Sequence, residues 1–97
     1  MQLIKKLYKL VKKIPRGKIS TYKELSHALN TNSYRAIGKL LNKNTSSKIP
    51  CHRIIMSSGA IGGYNKGIKK KIKLLKKEGI PIKNNKIQNL KSYLFKF

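Results

Sequence analysis

Over the first stretch of the chain, apolar residues recur at helical spacing. Leu3, Ile4, Leu7, Leu10, Val11 and Ile14 share one face, and lysines fill the other. This predicts a helix over 2–14. Pro15 cannot continue it and pushes Ile14 away from helical angles. Pro15-Arg16-Gly17-Lys18 reads as a turn, and Ile19-Ser20 as a short extended piece. Thr21-Tyr22-Lys23-Glu24 fits a capping box, with Thr21 as N-cap and Glu24 at the third helical position. A short helix follows, with Leu25, Ala28 and Leu29 inward, and Asn30-Thr31-Asn32 turns the chain. Ser33 caps a second helix over 34–42 that places Ala36, Ile37, Leu40 and Leu41 inward. Helix, tight turn, helix is the helix-turn-helix pattern, whose second helix enters a DNA groove. Its exposed residues include Tyr34, Arg35 and Lys39.

Beyond it, residues 42–48 form a polar loop. Residues 53–56 read as a strand, 57–60 as a turn and 61–64 as a return strand, giving a hairpin or wing. Ile68, Ile72 and Leu75 define another helix that ends at Glu78-Gly79. In the tail, Ile87, Leu90, Leu94 and Phe97 can form an amphipathic helix, with a break at Asn84-Asn85. The expected fold class is mainly α with a small β-hairpin, a winged helix-turn-helix DNA-binding domain. The expected division is residues 1–83 as that domain and 84–97 as a basic amphipathic tail.

Composition sharpens this picture. At 97 residues the chain is one small domain with a thin core. Its 24 Lys+Arg against two acids give a net charge of +22, which fits a polyanion partner, nucleic acid first. Lys, Ile and Asn are over-used together, so a nucleotide-composition bias is the alternative source of part of that charge, and an anionic membrane surface is the competing partner. No apolar run approaches the ~20 residues that span a bilayer, and no signal peptide is evident. The expectation is a soluble cytoplasmic protein in a reducing compartment. One cysteine and two histidines exclude a disulfide framework and an all-cysteine zinc site, so no metal is expected.

The single cysteine lies in Ile49-Pro50-Cys51-His52-Arg53. A thiol attacks as its thiolate, and a neighbouring imidazole and guanidinium favour that form. The alternative is a buried, inert small hydrophobe. Glu78 is one of only two acids and stands at a helix C-terminus, where negative charge is disfavoured, which tilts it toward a functional role. Glu24 is read as a cap, and Arg53 as a brace for the site.

Five ordered motifs over residues 3–79 resemble the carboxy-terminal domain of the O6-alkylguanine-DNA alkyltransferases. They are Ile14-Pro15-Arg16-Gly17-Lys18 with Thr21-Tyr22, then Tyr34-Arg35-Ala36-Ile37-Gly38, Ile49 to Arg53, Ser57 to Tyr64, and Leu74 to Gly79. The family's amino-terminal domain has no counterpart among these residues. Asn44 is the nearest match to an asparagine that precedes the family's cysteine, with Asn42 as its rival. The tail after Gly79 matches no family motif.

The resemblance implies a stoichiometric transfer of an alkyl group from O6-alkylguanine in duplex DNA to Cys51, after the base is flipped out of the stack. His52 is implied as the base acting on Cys51 through a water, with Glu78 orienting it, and Tyr22 as donor to the leaving guanine. Arg35 is implied to fill the gap in the stack, with Tyr34, Lys39 and Thr21 on DNA. Asn44, Ser57, Ser58, Gly59, Gly63 and Tyr64 are implied to line the substrate pocket. No cofactor is implied, and the partner is double-stranded DNA bound by a monomer. Two rival readings stay open. One is a non-catalytic alkyltransferase-like protein that binds the lesion and flags it for excision repair. The other is a generic basic winged-helix protein, in which Arg35 is a plain phosphate contact and Tyr22 a packing residue.

Overall fold

The computed structural model describes every residue except Met1, Thr45, Ser47 and Asn65. Two positions of the expected 42–48 loop therefore lie outside the described residues. The elements run α1 (Gln2–Lys12), β1 (Ser20–Thr21), α2 (Tyr22–Ala28), α3 (Tyr34–Asn42), a 3₁₀ turn (Cys51–Arg53) and β2 (Ile54–Ile55). They continue with α4 (Ile68–Lys77), β3 (Ile82–Lys83), β4 (Lys86–Ile87) and α5 (Leu90–Tyr93). The fold is mainly helical with two small two-stranded sheets.

The helix-turn-helix forms as its caps dictate. The Thr21 hydroxyl accepts from the Glu24 amide and the Ser33 hydroxyl from the Ala36 amide, satisfying donors that each helix start leaves open. The turn closes through Asn30, in the left-handed region, and a bond from the Thr31 amide to the Ser26 carbonyl. Ser26, not the expected Ala28, takes the buried position on α2, because its hydroxyl bonds back to the Lys23 carbonyl.

β2 separates two apolar clusters, since neighbouring residues of a strand face opposite sides. Ile54 joins Leu7, Val11, Ile14, Leu25, Ile37 and Leu41 on one side. Ile55 joins Ile19, Ile61, Leu75, Ile80 and Ile87 on the other. The first cluster holds the helix-turn-helix on α1, and the second seats α4 and the tail.

The structure departs from the sequence-based expectations at several points. Residues 61–64 do not return along 53–56; β2 instead pairs in parallel with β1, Ser20 against Ile54 and Thr21 against Ile55. A short extended piece before α2 supplied a buried partner that the local pattern does not reveal. The antiparallel hairpin lies further on, in β3–β4, with Ile82 opposite Ile87. Asn84 and Asn85 both have positive φ and form its two-residue turn, a role asparagine fills well. The expected boundary at 83/84 thus falls inside a hairpin. Residues 84–97 are not one helix but a strand, the single turn α5 and an extended end. Leu94 bridges in parallel to Ile19, and the Phe95 amide donates to the Ile19 carbonyl at 2.7 Å. Finally, Ile68 is exposed, and a lysine takes the inward position on α4.

Candidate active site and DNA interface

Cys51 opens the 3₁₀ turn that carries the chain from Pro50 into β2. It is buried, with only 7% of its surface exposed, and it joins the helix-turn-helix core. It borders a cavity of about 130 Å³ lined also by Tyr22, Arg35, Leu41, Asn42, Gly63 and Tyr64, among others. The Asn44 amide donates to Cys51 Sγ at 3.0 Å and also to the Ile49 carbonyl. Asn44, rather than Asn42, is therefore the asparagine on the cysteine, while Asn42 lines the cavity. Burial pushes the Cys51 thiol above its ordinary value; the Asn44 bond and the nearby Lys71 and Lys66 charges pull the other way without winning.

His52 and Arg53 converge on Glu78, the C-cap of α4. Arg53 grips the carboxylate with two bonds, Nε to Oε1 at 2.9 Å and Nη2 to Oε2 at 2.8 Å, and donates a third from Nη1 to the Ile14 carbonyl. His52 Nε2 lies 3.0 Å from Glu78 Oε2. Burial acts to raise Glu78, but the bonds from Arg53 and His52 outweigh it and hold the carboxyl below its ordinary value. An ionised carboxylate only accepts, so Nε2 is the donor, and Nδ1 of a neutral ring is left as an acceptor. Burial holds the imidazole below its ordinary value, against the pull of Glu78. The resting pair is thus a thiol beside a neutral imidazole. Among the described residues no hydrogen bond joins Cys51 directly to His52.

The end of α4 positions Glu78. Gly79 has φ +88°, its amide bonds the Lys76 carbonyl and the Ile80 amide bonds the Leu75 carbonyl. That is the Schellman closure, with Ile80 and Leu75 packed in one cluster. A side chain at Gly79 would be strained at that φ.

Lys71 is the residue that sequence reasoning missed. It is 1% exposed, and its ammonium donates to the Ile54 carbonyl at 2.6 Å and the Gly63 carbonyl at 3.1 Å. Burial lowers its pKa to about 8, with Cys51 pulling it back up. It therefore ties α4 to both the strand after the cysteine and the loop that ends at Tyr64. The signal was in the sequence: Ile68, Lys71 and Leu75 share one helical stripe, and the lysine stands where an apolar residue belongs.

Other expected residues sort into three groups. Tyr22, Arg35, Gly63 and Tyr64 meet at the cysteine's cavity, and Lys39 lines its edge. Burial raises the Tyr22 phenol, with a smaller contribution from Cys51, so it keeps its proton near neutral pH. Tyr34 and Ser57 lie outside that cavity, on a wider groove of about 450 Å³ that Tyr22, Arg35 and Met56 also line. Tyr34 is half exposed there. Thr21, Ser58 and Gly59 lie apart from both cavities. Thr21 is buried and its oxygen accepts the cap bond from the Glu24 amide. Ser58 accepts from the Ala60 amide, and Gly59 faces the Ile87 carbonyl; neither lines either cavity. The described residues contain no group of three or more His, Cys, Asp or Glu able to hold a metal, and no helix long and apolar enough to cross a membrane.

A helix-turn-helix beside a cysteine cavity and a His–Glu–Arg cluster defines a DNA-binding domain built around a thiol. Residues 2–80 match the family model of the 6-O-methylguanine DNA methyltransferase DNA-binding domain, and the chain belongs to that family. It is 49% identical over 77 residues to a methylated-DNA–protein-cysteine methyltransferase of Saccharolobus solfataricus, covering 78% of this chain and 50% of that protein. It is 44% identical over 91 residues to a bifunctional methyltransferase/endonuclease of Picrophilus torridus, covering 92% of this chain and 30% of that protein. The chain thus spans half or less of the length of these curated relatives. Among solved structures it is similar to S. pombe Atl1 in complex with damaged DNA containing O6-carboxymethylguanine. The TM-score is 0.85 at 28% identity, over 99% of this chain and 96% of that one. The O6-methylguanine-DNA methyltransferase of Pyrococcus kodakaraensis gives a TM-score of 0.74 at 40% identity, over 82% of this chain and 47% of that one. The mainly helical, winged helix-turn-helix fold is shared with these neighbours.

Proposed function

We propose that this domain binds duplex DNA carrying O6-alkylguanine, takes the flipped base into the Cys51 cavity and accepts the alkyl group on the cysteine. The observation that carries the reading is Cys51 at the cavity, its sulfur held by Asn44, with the His52–Glu78–Arg53 cluster following it in the chain. In the step, the sulfur attacks the alkyl carbon attached to O6, an S–C bond forms and the C–O6 bond breaks with its electrons going to guanine. The thiol proton passes through a water to Nδ1 of His52. Tyr22 donates a proton to the leaving guanine, and the proton held at His52 restores the phenol through solvent. Both partners are neutral at rest, so the thiol becomes a strong nucleophile as its proton passes to His52. Arg35, exposed at the first turn of α3, fills the stack as the base leaves.

Intact-protein mass measurement after mixing with a short duplex bearing one O6-methylguanine tests this. The expected result is a gain of one methyl at Cys51, absent in Cys51→Ala. An unchanged mass with excess lesion sinks the transfer reading.

The second reading is a lesion-binding protein without transfer. It is favoured by the match to Atl1 bound to damaged DNA, which extends over nearly the whole chain. It predicts that Cys51→Ala keeps the preference for lesion over undamaged duplex and loses nothing else.

A further inference from the structure

The tail beyond residue 80 lies outside the family match, yet its main chain bonds to the two segments that lead into the tyrosines of the cysteine's cavity. On one side is the loop from Met56 to Tyr64. The Ile87 amide donates to the Gly59 carbonyl at 2.8 Å, the Ile61 amide to the Asn85 carbonyl at 3.1 Å, and Ala60 bridges antiparallel to Lys86. The hairpin β3–β4 thus adds the loop to its edge, and Ile61 and Ile87 bury their side chains in one cluster. That loop runs on into Gly63 and Tyr64, which line the cavity. On the other side is the stretch leading into Tyr22. The Ile19 amide donates to the Tyr93 carbonyl, the Phe95 amide to the Ile19 carbonyl, and the Ser20 hydroxyl to the Phe95 carbonyl.

We infer that the β3–β4 hairpin and the extended end after α5 position the two tyrosine walls, fixing the width of the cavity in which the damaged base meets Cys51. The inference rests on the proposed reading of that cavity as the base pocket. No tail residue among 82–97 lines the cavity, so the tail acts through Tyr22 and Tyr64 rather than on the base. It is a positioning element, and the Asn84-Asn85 turn is its weak point, since both residues hold left-handed angles that β-branched side chains resist.

The test compares wild type with Asn84→Val plus Asn85→Val, and with Asn85→Gly, which suits a turn of this type. Alkyl transfer is measured per folded molecule on the lesion duplex and on free O6-benzylguanine, together with affinity for undamaged duplex. The expected result is a loss of roughly tenfold or more on both substrates for the double variant, since small misplacements cost that much. Undamaged-duplex affinity stays unchanged, and Asn85→Gly keeps the wild-type rate. Should the double variant fail to fold, Asn84→Ala carries the same comparison. Unchanged transfer with only a lower melting temperature overturns the inference, leaving the tail as scaffold. Weaker binding to undamaged duplex with normal reaction of the free base also overturns it, making the hairpin a DNA contact. Should wild type itself show no transfer, the reading of Cys51 fails. The same variants are then compared by their ratio of lesion to undamaged affinity, where a fall supports positioning and an unchanged ratio overturns it.

Discussion

At the scale of single residues, the site is governed by burial working against charge. Lys71 is the clearest case, with a pKa lowered to about 8 from an ordinary 10.5. Between those values the unfolded chain carries the proton and the folded chain does not, so Lys71 makes stability rise with pH across that window. Below about 8 the full cost of the buried charge is present. The stability of wild type relative to Lys71→Met should therefore rise by roughly 3 kcal/mol from pH 8 to 10.5, taking about 1.4 kcal/mol per unit. Paired chemical denaturation across that range checks it, and a flat difference contradicts the buried ammonium. His52 and Glu78 act at the acid end. Both are held below their ordinary values, so as pH falls the unfolded chain takes up each proton first. Stability should decline as pH drops below about 6.5, and again below about 4.3, the ordinary His and Glu values. Glu78→Gln should remove the lower decline. It also leaves Arg53, two of whose bonds go to that carboxylate, largely uncompensated, at a cost on the order of 3 kcal/mol. Arg35→Ala should slow transfer on duplex far more than on free O6-alkylguanine base; equal losses would make Arg35 a support of the fold.

At the scale of elements, helix ends do the positioning. Thr21→Ala should cost about 1 kcal/mol, because the Glu24 amide loses its acceptor at the start of α2. Thermal melting reads this, and a neutral result would mean the cap is replaced by solvent. The four helices with strong apolar periodicity or caps were legible in the sequence, α1 and α3 almost to their ends. The strands were not. β1 and β2 have two residues each, too few for an alternation to register, and their parallel pairing joins segments far apart in sequence. Asn84-Asn85 was legible as a break but not as a hairpin turn, because the flanking strands are again only two residues long. The motif residues of the site were found because Cys51, His52 and Arg53 are contiguous. Lys71 was passed over because twenty-four basic residues make any one of them look like surface.

At the scale of the molecule, the charge sets the behaviour toward DNA. Of the two acids, Glu78 is engaged with Arg53 and His52, so little negative charge opposes the cationic surface. Affinity for duplex DNA should fall steeply with salt, by a hundredfold or more between about 50 and 200 mM, as phosphate contacts release counterions. Lesion preference at matched salt should survive, because it draws on the cavity rather than on phosphates. A shallow salt slope would move the basic surface to another partner.

The bonds that residues 85–95 make to the segments flanking the cavity have a consequence during synthesis. The chain leaves the ribosome amino terminus first, at a pace of roughly 5–20 residues per second. α1, α2 and α3 and the core around Leu25 and Ile37 can assemble while the hairpin is still untranslated. The bonds from Ile19 to Tyr93 and Phe95 span more than seventy residues and close last. On the positioning role inferred for residues 82–95, a nascent chain is a DNA-binding fold before it is a shaped pocket, and its thiol waits for those residues to be translated before it sits in a fitted site.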